Sequence, residues 1–331
     1  MLAALPFVAA AQSSVQIYGR IDLSVNSTSF AGGGSRRSLS SDTSLFGFRG
    51  TEDLGGGLSA YFKMESGFNA DTGANANPAV FFNRETYVGL GHKQYGSLQL
   101  GAQWTPAIWL TGRNDPFQRG QMGAQLTVLQ GPAARGYAIQ YPNAIQYISP
   151  NFGGLQARAM VQLREGTAAA NRAFSVDYTQ QNFSIGVAYD SSELGGAPLG
   201  LPATTNVRSD NLGIGGNYNF GVAKAFAYVQ NNRVSGLPNV TGYMVGAAVP
   251  VGQGEFRATY SHTDNPGREA RLFAVGYNHF LSKRTQVYAT VAEVRNDGAA
   301  RFGLFPSSTD GGVPIAGQDV RGFQLGVRHV F

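Results

Sequence analysis

The sequence of 331 residues has no cysteine, few charges and no long apolar run. The missing cysteines exclude a disulfide-stapled scaffold and any thiolate metal site. The four histidines and the acids show no metal-ligand spacing, so neither metal nor cofactor is expected. Charged residues make up 14%, against about 25% in ordinary soluble domains. No stretch reaches the roughly 18 apolar residues of a transmembrane helix, but a membrane-crossing strand needs only about 10 alternating residues. The net charge of +5 comes from basic residues scattered along the chain, not gathered in a stripe, so no nucleic-acid partner is implied. The glycines of "GIGGNYNFG" lie in a strand-turn setting with no helix after them and imply no nucleotide site.

What is abundant is glycine, with 45 residues, and aromatic rings, with 21 Phe and 15 Tyr. Together with many Ser, Thr, Asn and Gln, they indicate an all-β chain rich in turns. The length exceeds a typical single soluble core and fits two domains or one large β-architecture. The opening "MLAALPFVAAAQSS" is apolar and ends in small residues, with an A-x-A pattern at Ala9-Ala10-Ala11. Residues 1–11 therefore read as a secretory signal peptide lacking the usual basic n-region, and 12–331 as the folded domain.

From there the hydrophobic pattern has period two. In "SVQIYGRIDLS", Val15, Ile17, Ile21 and Leu23 share one face; Gln16, Tyr18, Arg20, Asp22 and Ser24 share the other. "LQARAMVQLRE" and "EFRATYSH" repeat the alternation. Sixteen candidate strands follow, joined alternately by seven short Gly- and Asn-based turns, such as "DLGGG" and "VGQG", and eight long loops, such as Thr105–Ile139. An up-and-down barrel puts odd connections at one end and even ones at the other, and outer-membrane barrels keep the periplasmic turns short. The second face of each strand carries Arg, Gln, Tyr and Asp, which need water, and a barrel of sixteen strands encloses an aqueous channel. The predicted fold is an all-β, 16-stranded antiparallel transmembrane β-barrel. The last strand then closes on the first, with Phe323, Leu325 and Val327 toward lipid and Phe331 in the aromatic girdle at the periplasmic interface.

"SSVQIYGRIDLSV", "FGFRGTEDLGGGL", "SPNFGGL", "NYNFGVAK", "LSKRTQVYA" and the terminal "GVRHVF" resemble the trimeric general porins of β-proteobacteria, and the resemblance runs from about Ser13 to Phe331. It implies a homotrimer in the outer membrane, in contact with lipid and lipopolysaccharide. It also implies a third external loop folded into the pore, passive diffusion of small hydrophilic solutes and anions, and Phe331 as the signal read by the barrel-assembly machinery. Thr105–Ile139 matches the pore loop and carries Arg113, Asp115, Arg119 and Arg135; its three prolines argue against a continuous helix there. By the same resemblance, Arg84 matches a pore arginine and Glu65 the acid facing it, with Lys63 on the same strand face. Arg20, Arg49 and Arg158 lie on polar strand faces and are expected on the lumen wall. Such a basic cluster facing few acids concentrates anions. Leu45 and Gln140 stand where relatives carry further arginines, which reduces the expected selectivity to a weak anion preference.

Two other functions fit parts of the pattern. A channel dedicated to small organic anions or sugars would share the fold, with Trp104, Trp109, Phe117 and Tyr137 as a possible stacking track. A barrel enzyme would need a relay such as Ser261, His262 and Asp264, but alternation puts Ser261 and His262 on opposite faces.

Overall fold

In the computed structural model, which describes residues 14–130, 135–163, 171–195, 201–202, 204–306 and 313–331, the alternating segments pair into a continuous antiparallel wall. Its strands are β1 Ser14–Phe30, β2 in two pieces, Ser35–Ser41 and Leu45–Gly55, β3 Leu58–Asn69, β4 Glu85–His92, β5 Gly96–Trp104, β6 Gln140–Ile148, β7 Leu155–Gln162 and β8 Arg172–Thr179. The second half comprises β9 Phe183–Gly195, β10 Asn206–Asn219, β11 Lys224–Val234, β12 Val240–Val251, β13 Gly254–Asp264, β14 Ala270–Phe280, β15 Thr285–Asn296 and β16 Val320–Val330. Both pieces of β2 pair with β1, so they count as one wall strand. A two-residue strand, Ala74–Asn75, pairs only with the end of β3. The wall therefore has sixteen strands among the described residues. β16 returns to β1, with Arg20 opposite Val330 and Phe30 opposite Val320, so the sheet has no free edge. The proposed leader, residues 1–11, lies outside the described residues.

Burial is inverted relative to a protein folded in water. Ile17, on the outer face of β1, is 68% exposed, while its polar neighbour Asp22, on the inner face, is 0% exposed. Val25, Leu100, Ile185, Val245 and Leu325 also point outward and are exposed; Asn26, Gln146, Asn211 and Gln324 point inward and are buried. An apolar belt of this extent is stable only against hydrocarbon.

One end of the barrel carries the seven short connections, the tightest being residues 56–57 and 252–253. Gly55, Gly56 and Gly57 all adopt positive φ, which only glycine tolerates cheaply in such a run. The other end is less uniform than the sequence led us to expect. Residues 31–34, 235–239 and 265–269 are tight connections, so the eight are not all long. Alternation fixes only which end a connection occupies, not its length.

The connection between β5 and β6 folds inward. It contains helix α1, Pro106–Arg113, and a single turn, α2, Leu126–Leu129. The prolines were expected to exclude a helix longer than a turn. Pro106 instead sits in the first turn of α1, where its missing N–H has no partner to lose.

This loop packs against the inner face of β9–β16, where the wall offers glycine. Leu110 lies against Gly186, Leu129 against Gly242, Pro116 against Gly246, Phe117 against Gly276 and Met122 against Gly322. A Cβ on any of these glycines would come within 2.6 to 3.0 Å of the loop. Leu110, Phe117, Met122, Val128 and Leu129 are fully buried there, each contributing about 1.5–3 kcal/mol. Polar ties add direction: Gln230 donates to the Leu129 carbonyl at 2.9 Å and Asn217 to the side-chain Oδ1 of Asn114 at 2.7 Å. α1 also lies against β7 and β8, and the Gln121 N–H donates to Asp42 in the break of β2, so the loop reaches both sides of the lumen.

Candidate pore constriction

The facing wall is built from the inward positions of β1, β3, β4 and β5. Alternation brings Tyr18, Lys63, Glu65 and Glu85 to one side of the sheet, and the register places Glu65 opposite Glu85. Two carboxylates on neighbouring strands repel unless cations sit between them. Lys63 Nζ ion-pairs with Glu85 and lies 3.3 Å from Glu65 Oε2; Arg84 Nε donates to Glu65 Oε1 at 2.6 Å. Tyr18 OH donates to Glu65 Oε2 at 3.0 Å, and the Trp104 N–H donates to Glu85 at 3.3 Å. The Arg84 guanidinium lies 4.9 Å over the Trp104 ring, and the Gln140 amide donates to the Arg84 carbonyl. Arg84, Glu65, Lys63 and Gln140, expected together at the constriction, are thus neighbours.

Two further basic positions hold neutral partners. Arg20 donates to the Thr43 carbonyl at 2.8 Å and to Thr43 Oγ1 at 2.7 Å, in the break of β2. Leu45, at the position of a further arginine by the family resemblance, faces Arg20 across the ladder. Arg49 Nε donates to Gln16 at 3.0 Å, and its guanidinium lies 4.9 Å over Tyr18. Deeper along the wall, Arg113 and Arg158 share one carboxylate, Asp177, at 3.3 and 2.9 Å. Arg113 belongs to α1, so this ion pair also ties the loop to β8.

Three loop residues sit elsewhere than a constriction role requires. Asp115 is 1% exposed. It accepts the N–H groups of Phe117, Arg119 and Gln125 at 2.9, 3.0 and 3.1 Å, so it organises the loop from within. Burial pushes its carboxyl up to about 6, against the pull of those three donors. Arg119 turns back onto Tyr137 and Thr111. Burial lowers it to about 10; Asp115 opposes that shift, and Arg84 on the facing wall reinforces it. Arg135 donates to the Pro238 carbonyl at 2.7 Å, toward the loop end. The short charged stretch "GRNDPFQRG" is a turn whose own N–H groups need an acceptor, and Asp115 supplies it. Of the aromatics weighed as a stacking track, Phe117 and Tyr137 are buried inside the loop, and only Trp104 stands beside Arg84.

The lining residues Arg20, Arg49, Lys63, Arg84, Arg113, Arg158 and Arg328 give seven basic groups. They face five carboxyls, Asp22, Asp42, Glu65, Glu85 and Asp177. Seven basic against five acidic leaves these twelve groups with a formal balance of +2. This departs from the arginine cluster facing few acids that the sequence led us to expect.

A family model described as Gram-negative porin matches residues 1–299. The chain belongs to the Gram-negative porin family. Outer membrane porin protein 32 of Delftia acidovorans is 34% identical to this porin, over 98% of this chain and 95% of that relative. An outer membrane porin of Bordetella pertussis is 27% identical over 89% and 92%. Among solved structures, an anion-selective porin from Comamonas acidovorans superposes with a TM-score of 0.82 at 31% identity, covering 97% of this chain and all of that one. An outer membrane protein of Vibrio cholerae, solved in a trimer form, shares the fold at a TM-score of 0.71 and 15% identity, over 96% and 99%. This porin is a channel protein of the outer membrane.

Sequence reasoning missed Glu85, Asp177 and the Asp22–Arg328 pair. Glu85 could have been found, because it lies on the same alternating face as Tyr87, one strand from Lys63. The Asp22–Arg328 contact joins β1 to β16 and needs the closed barrel to exist. Ser261 is buried inward, whereas the His262 ring lies outside, 5.2 Å from Tyr243, so the wall separates the two.

Proposed function

We propose that this porin is a water-filled diffusion channel for small hydrophilic solutes and ions with a weak preference for anions. The observation that carries this is the paired charge lining: most cations hold a carboxylate, and only a small positive excess remains. In a narrow passage with low-dielectric walls, that excess raises the local anion concentration, and salt screens it over about 10 Å at 0.1 M. Arg84, Glu65, Lys63 and Gln140 form the constriction on this reading, with Arg20, Arg49, Arg113 and Arg158 on the wall. Asp115, Arg119 and Arg135 set the pose of the loop.

The assembly is a homotrimer on the same reading. Phe46, Phe48 and Phe68 line the outer face of β2 and β3, and Phe81 of the following loop joins them at 6.4 Å from Phe46. This aromatic patch suits a neighbouring barrel. Membrane lipid and lipopolysaccharide cover the rest, and the short turns face the periplasm. Phe331 is the assembly signal; its backbone exchanges hydrogen bonds with Gly19 at 3.1 and 3.0 Å and its ring covers that glycine. Residues 1–11 serve as the export leader.

The test is single-channel recording in a planar bilayer with a zero-current potential under a KCl gradient. Ohmic steps in threes with a modest chloride-favouring potential are expected. A strong cation preference would overturn the proposed selectivity.

A further inference from the structure

Below the constriction, toward the turn end, the inner wall opens into a cavity of about 290 Å³ whose lining includes Gln16, Arg49, Thr51, Tyr61, Lys63 and Tyr87. These come from four consecutive strands, and the registers Gln16–Arg49, Arg49–Lys63 and Lys63–Tyr87 set them side by side. Lys63 is neutralised there by Glu85 and Glu65. Arg49 is not: among the described residues its guanidinium gives only the Nε–H to Gln16, and its face rests on Tyr18. Its two terminal amino groups donate to no protein acceptor among the described residues, so a planar fork is held in place and left open to the lumen.

The neighbouring walls are aromatic and fixed. Tyr61 and Tyr87 meet edge to face, with centroids 6.3 Å apart and planes at 85°. The Tyr61 ring lies on Gly89, where a Cβ would approach it within 2.5 Å, and its hydroxyl takes a hydrogen bond from Gln99 at 3.2 Å. Two crossed rings beside a free guanidinium fork match a ligand with a carboxylate at one end and a flat ring at the other. We propose that this cavity is a binding station for small aromatic carboxylates in transit. The cavity at Arg84 and Trp104, toward the loop end, repeats the pairing of a guanidinium with an aromatic ring. Such a ligand therefore passes from one basic–aromatic station to another, across the Glu65–Glu85 pair.

The station rests on the channel reading above and adds a ligand class to it. The test is block of the KCl current by added benzoate, against cyclohexanecarboxylate, which has the same charge without the flat ring, with the KCl zero-current potential recorded on the same membranes. Benzoate should reduce the current saturably, at a half-blocking concentration about fivefold below that of cyclohexanecarboxylate. Arg49→Gln should raise the benzoate value about tenfold, the loss of a charge-assisted fork. Tyr87→Leu should abolish the discrimination between the two acids. Equal block by both acids, or a benzoate block indifferent to Arg49→Gln, overturns the station. A chloride-favouring potential without block overturns the station and leaves the channel reading standing; absence of any conductance overturns both.

Discussion

Arg84 and Glu65 form a 2.6 Å ion pair that the proposed channel reading sets at the constriction, and removing one charge leaves the other uncompensated. A unit charge about 6 Å from a permeating ion is worth roughly 0.7 kcal/mol in water and about 2.8 kcal/mol at an effective dielectric of 20. Screening at 0.1 M salt reduces these to about 0.4–1.5 kcal/mol. The charge attracts one ion and repels the other, so the chloride-to-potassium permeability ratio should change by about fourfold at the lower figure and about a hundredfold or more at the upper. Arg84→Ala should lower that ratio, and Glu65→Gln should raise it. The double variant should return close to the wild-type value, because the net charge is restored. The assay is the zero-current potential across a bilayer under a KCl gradient at 0.1 M, repeated at 1 M, where screening should shrink every shift. Two single variants that move the potential in the same direction, or an unchanged Arg84→Ala, would refute the placement of this pair at the constriction.

Asp115→Asn should loosen the pore loop by about 1–3 kcal/mol, since an amide has one acceptor oxygen and cannot serve both Phe117 at Oδ1 and Arg119 and Gln125 at Oδ2; noisier single-channel current and a lower thermal midpoint in detergent would report it. The Asp115 carboxyl is held above its free value of about 3.9, so the docked loop takes up a proton more readily than a released one. Docking should therefore weaken as pH rises from about 4 to about 6 and stay level above that; a pH-independent difference in midpoint between wild type and Asp115→Asn would contradict this. Gly246→Val should displace the loop, because a Cβ there would stand 2.7 Å from Pro116 and 2.8 Å from the Ala258 carbonyl; an increased unitary conductance is expected, and an unchanged one would mean the loop is held elsewhere. Phe331→Ala should leave the wall ladder intact but slow assembly into the membrane, measured as the fraction of heat-modifiable trimer; unaltered assembly would remove Phe331 as the signal.

The barrel was legible because its determinants are local. A strand exposes alternate side chains to alternate faces, so lipid and water each leave a period-two imprint that needs no knowledge of partners, as in Val15 to Ser24. Glycine turns mark one end for the same reason. The shared strand face of Glu65 and Lys63 was legible from alternation, and Arg84 was singled out by the family resemblance. The charge balance was not. Lys63 meets Glu85 only through strand register, and Arg158 meets Arg113 only because α1 docks on β8. Asp115 and Arg119 read as pore charges in sequence, yet the fold turns them into the loop, where unsatisfied backbone N–H groups and the Tyr137 ring claim them. The strands, their faces and the membrane they suit are written in the local order of residues. Which charges cancel was settled by folding, because an ion pair depends on a few ångströms between segments as far apart in the chain as Asp22 and Arg328.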